Sequence, residues 1–245
     1  TSYLKLYHQD VYVTALLNSQ PMGFYSAHSL IHDAKRHGVH FREVCVQNSQ
    51  WDNTLEGPNQ VRLGFRQVRG LRKAVAESIV RQRNTQGFKS FSNFTQQLLK
   101  PSASLTLTKR DLFLLAGANA FSSFLPRREV IWEIQGLSLK DNPEFSPEDL
   151  KTLLPKEEGW ESIQLDYEAH GVSLCAHPME FLRTELDRLK ITPTKDLKKL
   201  APKRKVTVGG MVICRQMPGT SKGVLFVTLE DEFGFANLVV WPKVY

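Results

Sequence analysis

Cysteine is scarce in this chain, and what there is cannot build a covalent or metal framework. Cys45, Cys175 and Cys214 are odd in number and far apart. They leave neither a disulfide scaffold nor a Cys-x-x-Cys metal knuckle, and they are expected to be reduced core residues. Long apolar runs are also missing. The longest, over 11–17 and 112–118, are far too short to span a bilayer, and the opening Thr1-Ser2-Tyr3-Leu4 lacks the order of a signal peptide. A soluble, cytoplasmic protein without a membrane partner is expected. His28 and His32 share a helix face at i, i+4, but no carboxylate or cysteine is placed to complete a tetrahedral set, so a solvated helix surface is favoured over a metal site. There is no Ser/His/Asp order, Walker loop or Rossmann glycine set. The acidic pairs Glu148-Asp149, Glu157-Glu158 and Asp231-Glu232 fall in polar stretches where solvated charge is the default reading. No catalytic residue, metal ligand or cofactor is therefore assigned to this chain.

What is present is an ordinary globular composition, 41% hydrophobic over 245 residues, enough for one large domain or two to three small ones. The net charge of +7 is concentrated: residues 61–135 hold 13 Lys/Arg against 4 Asp/Glu, while residues 136–203 carry a net −3. A basic segment between acidic neighbours is the electrostatic footprint of a polyanion site, although a solvated basic face explains charge alone equally well.

Periodicity sorts the chain into four parts. Apolar positions at helical spacing predict one helix over 3–20, ended by Gln20-Pro21-Met22-Gly23, and a second helix capped by Ser26 and stopped at Gly38. Residues 39–46 read as extended, with 51–55 as a possible strand partner. Short helices are then predicted over 73–84, 91–99, 109–115 and 127–134, punctuated by Gly64, Gly70, Gly87 and Gly117. Residues 136–160 are polar and Pro-rich, a linker with at most one short helix over 147–153. Helices over 163–170 and 178–189 follow, the second with Pro178 in its first turn. The period then shortens: 206–214, 224–230 and 235–241 form a β-meander, with Gly209-Gly210 expected to bulge or bend its first strand. Such a barrel needs five strands, so the last part is expected to be incomplete.

The strongest local signal is Phe65-Arg66-Gln67-Val68-Arg69-Gly70-Leu71-Arg72-Lys73-Ala74-Val75. It follows the helix-hairpin-helix pattern, in which a glycine turn approaches a phosphate and the next helix offers free N–H groups at its start. Arg69, Gly70, Leu71, Arg72 and Lys73 are the candidate DNA contacts. The second hairpin glycine is replaced by Arg72, which would be strained if that position were left-handed. A purely structural αα-hairpin is about as plausible from the motif alone. A weaker copy places Gly117, Ala118 and Asn119 at a second hairpin, whose apolar flanks favour packing over phosphate contact. In the β-rich tail Arg215 and Lys222 bracket the first hairpin, and Phe226 and Trp241 either stack on bases or fill a core.

Several strings resemble one family. Ala15-Leu16-Leu17-Asn18-Ser19-Gln20-Pro21-Met22-Gly23-Phe24-Tyr25, Leu115-Ala116-Gly117-Ala118, His177-Pro178-Met179, Arg215-Gln216-Met217-Pro218-Gly219-Thr220 and Leu229-Glu230-Asp231-Glu232-Phe233-Gly234 are similar to the bacterial C-family DNA polymerases, with Gln-Pro-Met-Gly-Phe-Tyr closer to the error-prone than to the replicative branch. The resemblance implies a multidomain α+β chain: the end of a fingers domain over 1–60, a tandem helix-hairpin-helix domain over 61–135, a linker with connecting helices over 136–203 and the start of an OB-fold over 204–245. It also implies lesion-bypass synthesis on primer-template DNA and single-stranded template, with Mg2+ in a palm domain before Thr1. Implied partners are damage-response accessory proteins and, indirectly, the sliding clamp. A clamp-like string, Gln135-Gly136-Leu137-Ser138-Leu139, is too loose to outweigh a linker reading. A fragment of a replicative C-family polymerase, a free-standing DNA-binding module and an RNA-binding chain with an anticodon-type OB-fold remain the alternatives.

Overall fold

A computed structural model of the chain describes residues 1–23, 26–98, 107–137, 155 and 157–244. The predicted helix over 147–153, Glu148-Asp149, the end of the 135–139 string and Phe24-Tyr25 lie outside the described residues. The fold is α+β and divides into two compact units, Thr1–Leu174 and Cys175–Tyr245. No described helix is long and apolar enough to cross a membrane.

The first unit opens with two helices where one is predicted, α1 (Ser2–Tyr7) and α2 (Gln9–Asn18), broken at His8, whose φ and ψ are −140° and 57°. The reason is packing: α1 buries nothing, whereas α2 buries Val13 and Leu17, so only the second segment is held by the core. Ser26 caps α3 (Ala27–Arg36), its hydroxyl accepting from Ser29 N as expected. The strand pairing differs from expectation. β1 (His40–Arg42) pairs in parallel with β3 (Gln60–Arg62), not with β2 (Thr54–Gly57). β2 and β3 form their own hairpin through left-handed Asn59 (φ 55°), which puts β3 in the middle.

A short 3-10 helix, Phe65–Gln67, leads into α4 (Lys73–Gln86), followed by α5 (Phe91–Leu98), α6 (Lys109–Gly117), α7 (Arg127–Gly136) and α8 (Gly159–His170). One hydrophobic core runs from Val13 and Leu17 through Val61, Ile79 and Phe121 to Val172, so residues 1–60 and 61–135 share it. Phe91 and Phe94 meet Phe121 edge-on at centroid distances of 4.9 and 5.0 Å, contacts worth about 0.5–1.5 kcal/mol each beyond burial. Gly64 is required by a close approach, since a Cβ there would collide with the backbone of Trp51 and Asp52.

The second unit holds α9 (Pro178–Arg188), a short α10 (Thr194–Leu197) that the period analysis missed, and an antiparallel meander, β4 (Met211–Gln216), β5 (Leu225–Asp231) and β6 (Gly234–Val240), in the order β4-β5-β6. Gly209 and Gly210 precede β4 instead of bulging it. A Cβ at Gly210 would stand 2.7 Å from Glu230 O, so its role is close backbone approach, and the register shift falls between Val212 and Cys214. Asp231-Glu232 is not solvated charge. Asp231 is 1% exposed and accepts from Thr194 N (2.7 Å), Phe233 N (2.9 Å) and Gly234 N (3.0 Å), while Glu232 accepts from Nε and Nη2 of Arg183 at 2.6 and 2.8 Å. All three cysteines are free, but only Cys45 is buried; Cys175 is exposed and Cys214 half-buried.

Candidate nucleic-acid interface

The first hairpin is built as its residues dictate. Val68 and Leu71 are buried and anchor the turn to the core, with Leu71 N donating to Val68 O at 3.2 Å. Gly70 between them has φ 79°, a left-handed conformation that a side chain would strain. Arg72 is the N-cap of α4 with φ −76° and ψ 136°, so the anticipated strain at this position is absent: the backbone is extended and any residue fits. Gly70, Arg72, Lys73 and Ala74 are exposed. Val75 and Ala76 N–H already close on Arg72 O, whereas those of Lys73 and Ala74 have no acceptor among the described residues. These two unpaired amides belong to exposed residues at the positive end of a helix, beside cationic side chains.

The start of α6 lies beside that turn. Thr108 and Asp111 form a reciprocal capping box, Asp111 N to Thr108 Oγ1 at 3.2 Å and Thr108 N to Asp111 Oδ2 at 2.9 Å. Asp111 Oδ2 also accepts from Arg72 Nη2 at 2.6 Å. Burial works to raise the Asp111 carboxyl, but the hydrogen bonds from Arg72 and Thr108 outweigh it and hold the group below the usual carboxylate range. A methyl group on Gly70 would stand 3.9 Å from Arg110 Nη2, so exposed Arg110, forty positions away in sequence, completes the cationic rim. Sequence reasoning missed Arg110. The Thr108-x-x-Asp111 box marks the helix start that carries it, but nothing local indicates which turn it adjoins.

The other candidates divide. Arg69 is committed to the fold: its N–H donates to Ala169 O (2.9 Å) and its Nη1 to Tyr167 O (3.2 Å), and its guanidinium covers left-handed Gly171 at the end of α8. Lys73 lies 3.8 Å from Glu77, a loose surface pair. Leu71 is buried and anchors the turn. At the second hairpin Asn119 is left-handed (φ 53°) and donates to Glu43 Oε2 at 2.9 Å, while Ala118 is fully buried and Ala120 O accepts from Val46 N. Gly117, Ala118 and Asn119 therefore form a packed junction without an exposed amide rim, in keeping with the apolar flanks. In the second unit Arg215 on β4 and Lys222, left-handed at φ 50°, are exposed. Phe226 and Trp241 are 42% and 62% exposed, so among the described residues neither fills a core.

Residues 38–131, from just before β1 into α7, match the helix-hairpin-helix motif family. Over all of its length the chain is 38% identical to error-prone DNA polymerase 1 of Agrobacterium fabrum, 36% identical to error-prone DNA polymerase 2 of Rhizobium meliloti and 37% identical to an error-prone DNA polymerase of an Anaeromyxobacter species. It covers 24%, 24% and 22% of those relatives, about a quarter of their length. The chain is thus similar, from end to end, to one segment of the error-prone DNA polymerases and carries a helix-hairpin-helix motif within it.

Proposed function

We propose that this chain is the DNA-holding C-terminal portion of an error-prone, lesion-bypassing DNA-directed DNA polymerase. The observation that carries the reading is the exposed turn at Gly70, where free amides of α4 meet Arg72, Lys73 and Arg110. Such a site takes a phosphate without reading a base, which is what a polymerase needs in order to track primer-template DNA of any sequence. In this reading residues 1–60 close the fingers, 61–135 hold the duplex, 136–203 connect, and 204–245 begin an OB-fold that meets single-stranded template through Arg215, Lys222, Phe226 and Trp241.

Nucleotidyl transfer would be performed by a palm elsewhere in the polymerase. Of the buried carboxylates, Asp111, Asp166 and Asp231 do not offer a site for paired Mg2+ ions, because each already accepts from Arg, Ser, Thr or backbone N–H donors. The chain alone is expected to bind primer-template DNA and not to extend it. The reading also carries cytoplasmic localisation and contact with damage-response accessory proteins and, indirectly, the sliding clamp.

The test spares Arg69 and Arg72, whose loss would strip Tyr167 O and Asp111 of their partners. Lys73→Ala with Arg110→Ala is expected to flatten the dependence of duplex affinity on salt by up to about two units, near 0.9 per lost phosphate contact. An unchanged slope removes the hairpin from the DNA-contact role.

A further inference from the structure

A boundary at residue 203 divides a second basic run. Between residues 188 and 205 the sequence holds eight Lys/Arg and one acid, Asp196. In the second unit this run folds back on itself. α9 ends with Ile191 N donating to Leu186 O at 2.9 Å and Lys190 left-handed at φ 56°, a Schellman ending. Thr192 N then donates to Thr207 O at 2.8 Å, which brings the stretch after α9 beside the stretch before β4. Between them lies an open concavity of about 330 Å³, lined by Lys190, Arg204 and Lys205, the hydroxyl-bearing Thr192 and Thr207, and Leu200.

Among the described residues no carboxylate lines this concavity. Asp196, the one acid of the run, is taken by Lys199 at 2.7 Å, and none of the three lining cations is ion-paired among the described residues. Lys190 has a structural use at the negative end of α9. Arg204 and Lys205 have no such use: both are exposed and stand outside any helix or strand. Gathering like charges around one hollow is unfavourable unless an anion occupies it.

We propose that this concavity binds the phosphodiester backbone of a single-stranded nucleic acid. The inference rests on the DNA-binding role proposed above but uses a different unit and different residues. Single-strand sites combine cations that follow the backbone with aromatic faces for the bases, and the same unit presents Phe226, Phe235 and Trp241 exposed. Threonine hydroxyls are ready phosphate donors, and the hollow has room for a phosphate with its sugar, not for the face of a duplex.

The test is anisotropy of the whole chain with oligothymidylate and with blunt duplex between about 50 and 200 mM salt, the range over which phosphate contacts show. Lys190→Ala, Arg204→Ala and Lys205→Ala together are expected to reduce the oligothymidylate slope by up to about two units, near 0.7 per contact on a single strand, and to leave the duplex slope unchanged. The charge-keeping variant K190R/R204K/K205R should retain the slope, which separates lost charge from a disturbed fold. Wild-type oligothymidylate binding by the alanine variant overturns the proposal. So does a preference for polyglutamate that the alanine variant abolishes, since the occupant is then an acidic peptide. An unchanged duplex slope in K73A/R110A instead overturns only the hairpin reading.

Discussion

His170, the last residue of α8, is held well below the usual histidine range, at about 4, chiefly by burial and by the nearby Arg127 and Arg69 charges, against the pull of Asp166. Its Nε2 is buried without a hydrogen-bond partner among the described residues, in a small cavity shared with Glu43, Leu63 and Asp166. A histidine kept neutral in the fold contributes stability that is fully present above its unfolded pKa, near 6.5, and is lost as pH falls towards 4. Urea unfolding of the chain should therefore show stability declining between these values by at most about 3 kcal/mol, with His170→Leu flattening that part of the profile. An identical profile in the variant would refute this assignment. Single residues also mark where sequence reading stopped. Gly70 was legible as the turn glycine of the hairpin pattern, whereas whether Arg72 stands left-handed was not, and its extended backbone carries no strain. Arg69 and Arg72 look alike in sequence, and only their distant partners, Tyr167 O and Asp111, separate a fold-bound cation from one on the rim.

At the scale of elements, helix ends were the most legible feature, since a cap acts within one turn. Ser26, Gly87 and Pro178 all stand at the helix boundaries the sequence suggests. What joins the helices was not legible. Arg127 on α7, with a side chain 1% exposed, donates to Asp166 Oδ1 on α8 at 2.6 Å, and Ser173 Oγ donates to the other carboxylate oxygen at 2.8 Å. This pair, thirty-nine positions apart, pins the end of the helix-hairpin-helix region to α8. Asp166→Ala leaves a buried guanidinium uncompensated and is expected to lower the unfolding free energy by about 3–5 kcal/mol in thermal or urea denaturation. A loss below about 1 kcal/mol would mean that water or Glu157, 3.7 Å from Arg127 Nε, takes over the charge. Strand pairing was hidden for the same reason: of residues 39–46 only His40–Arg42 forms a strand, and its choice of β3 over β2 depends on the hairpin through Asn59.

Over the whole molecule, total charge was legible and its use was not. Among the described residues, at least six of the cations in residues 61–135 (Arg62, Arg66, Arg69, Arg83, Arg127 and Arg128) are tied by hydrogen bonds to partners away from the rim. A charge sum thus overstates the rim available to DNA there, and a boundary drawn at residue 203 concealed the basic run around Lys190 and Arg204. With contacts limited to amides and cations, binding should ignore base identity: blunt duplexes of alternating A·T and of alternating G·C are expected to bind within about threefold of each other at one salt concentration. A preference above about tenfold in competition titrations would require base-edge contacts and a different interface.

The sequence alone determined most of the longer helices, the glycine turn at Gly70 and the β-meander, because caps, glycine turns and hydrophobic period act between neighbours a few positions apart. Tertiary structure decided that Arg110 stands beside Gly70, that Asp231 is buried, that the second hairpin is a packed junction and that Lys190 shares a hollow with Arg204. Each of these depends on groups brought together from distant parts of the chain, where burial and hydrogen-bond partners, not residue type, set what a side chain can do.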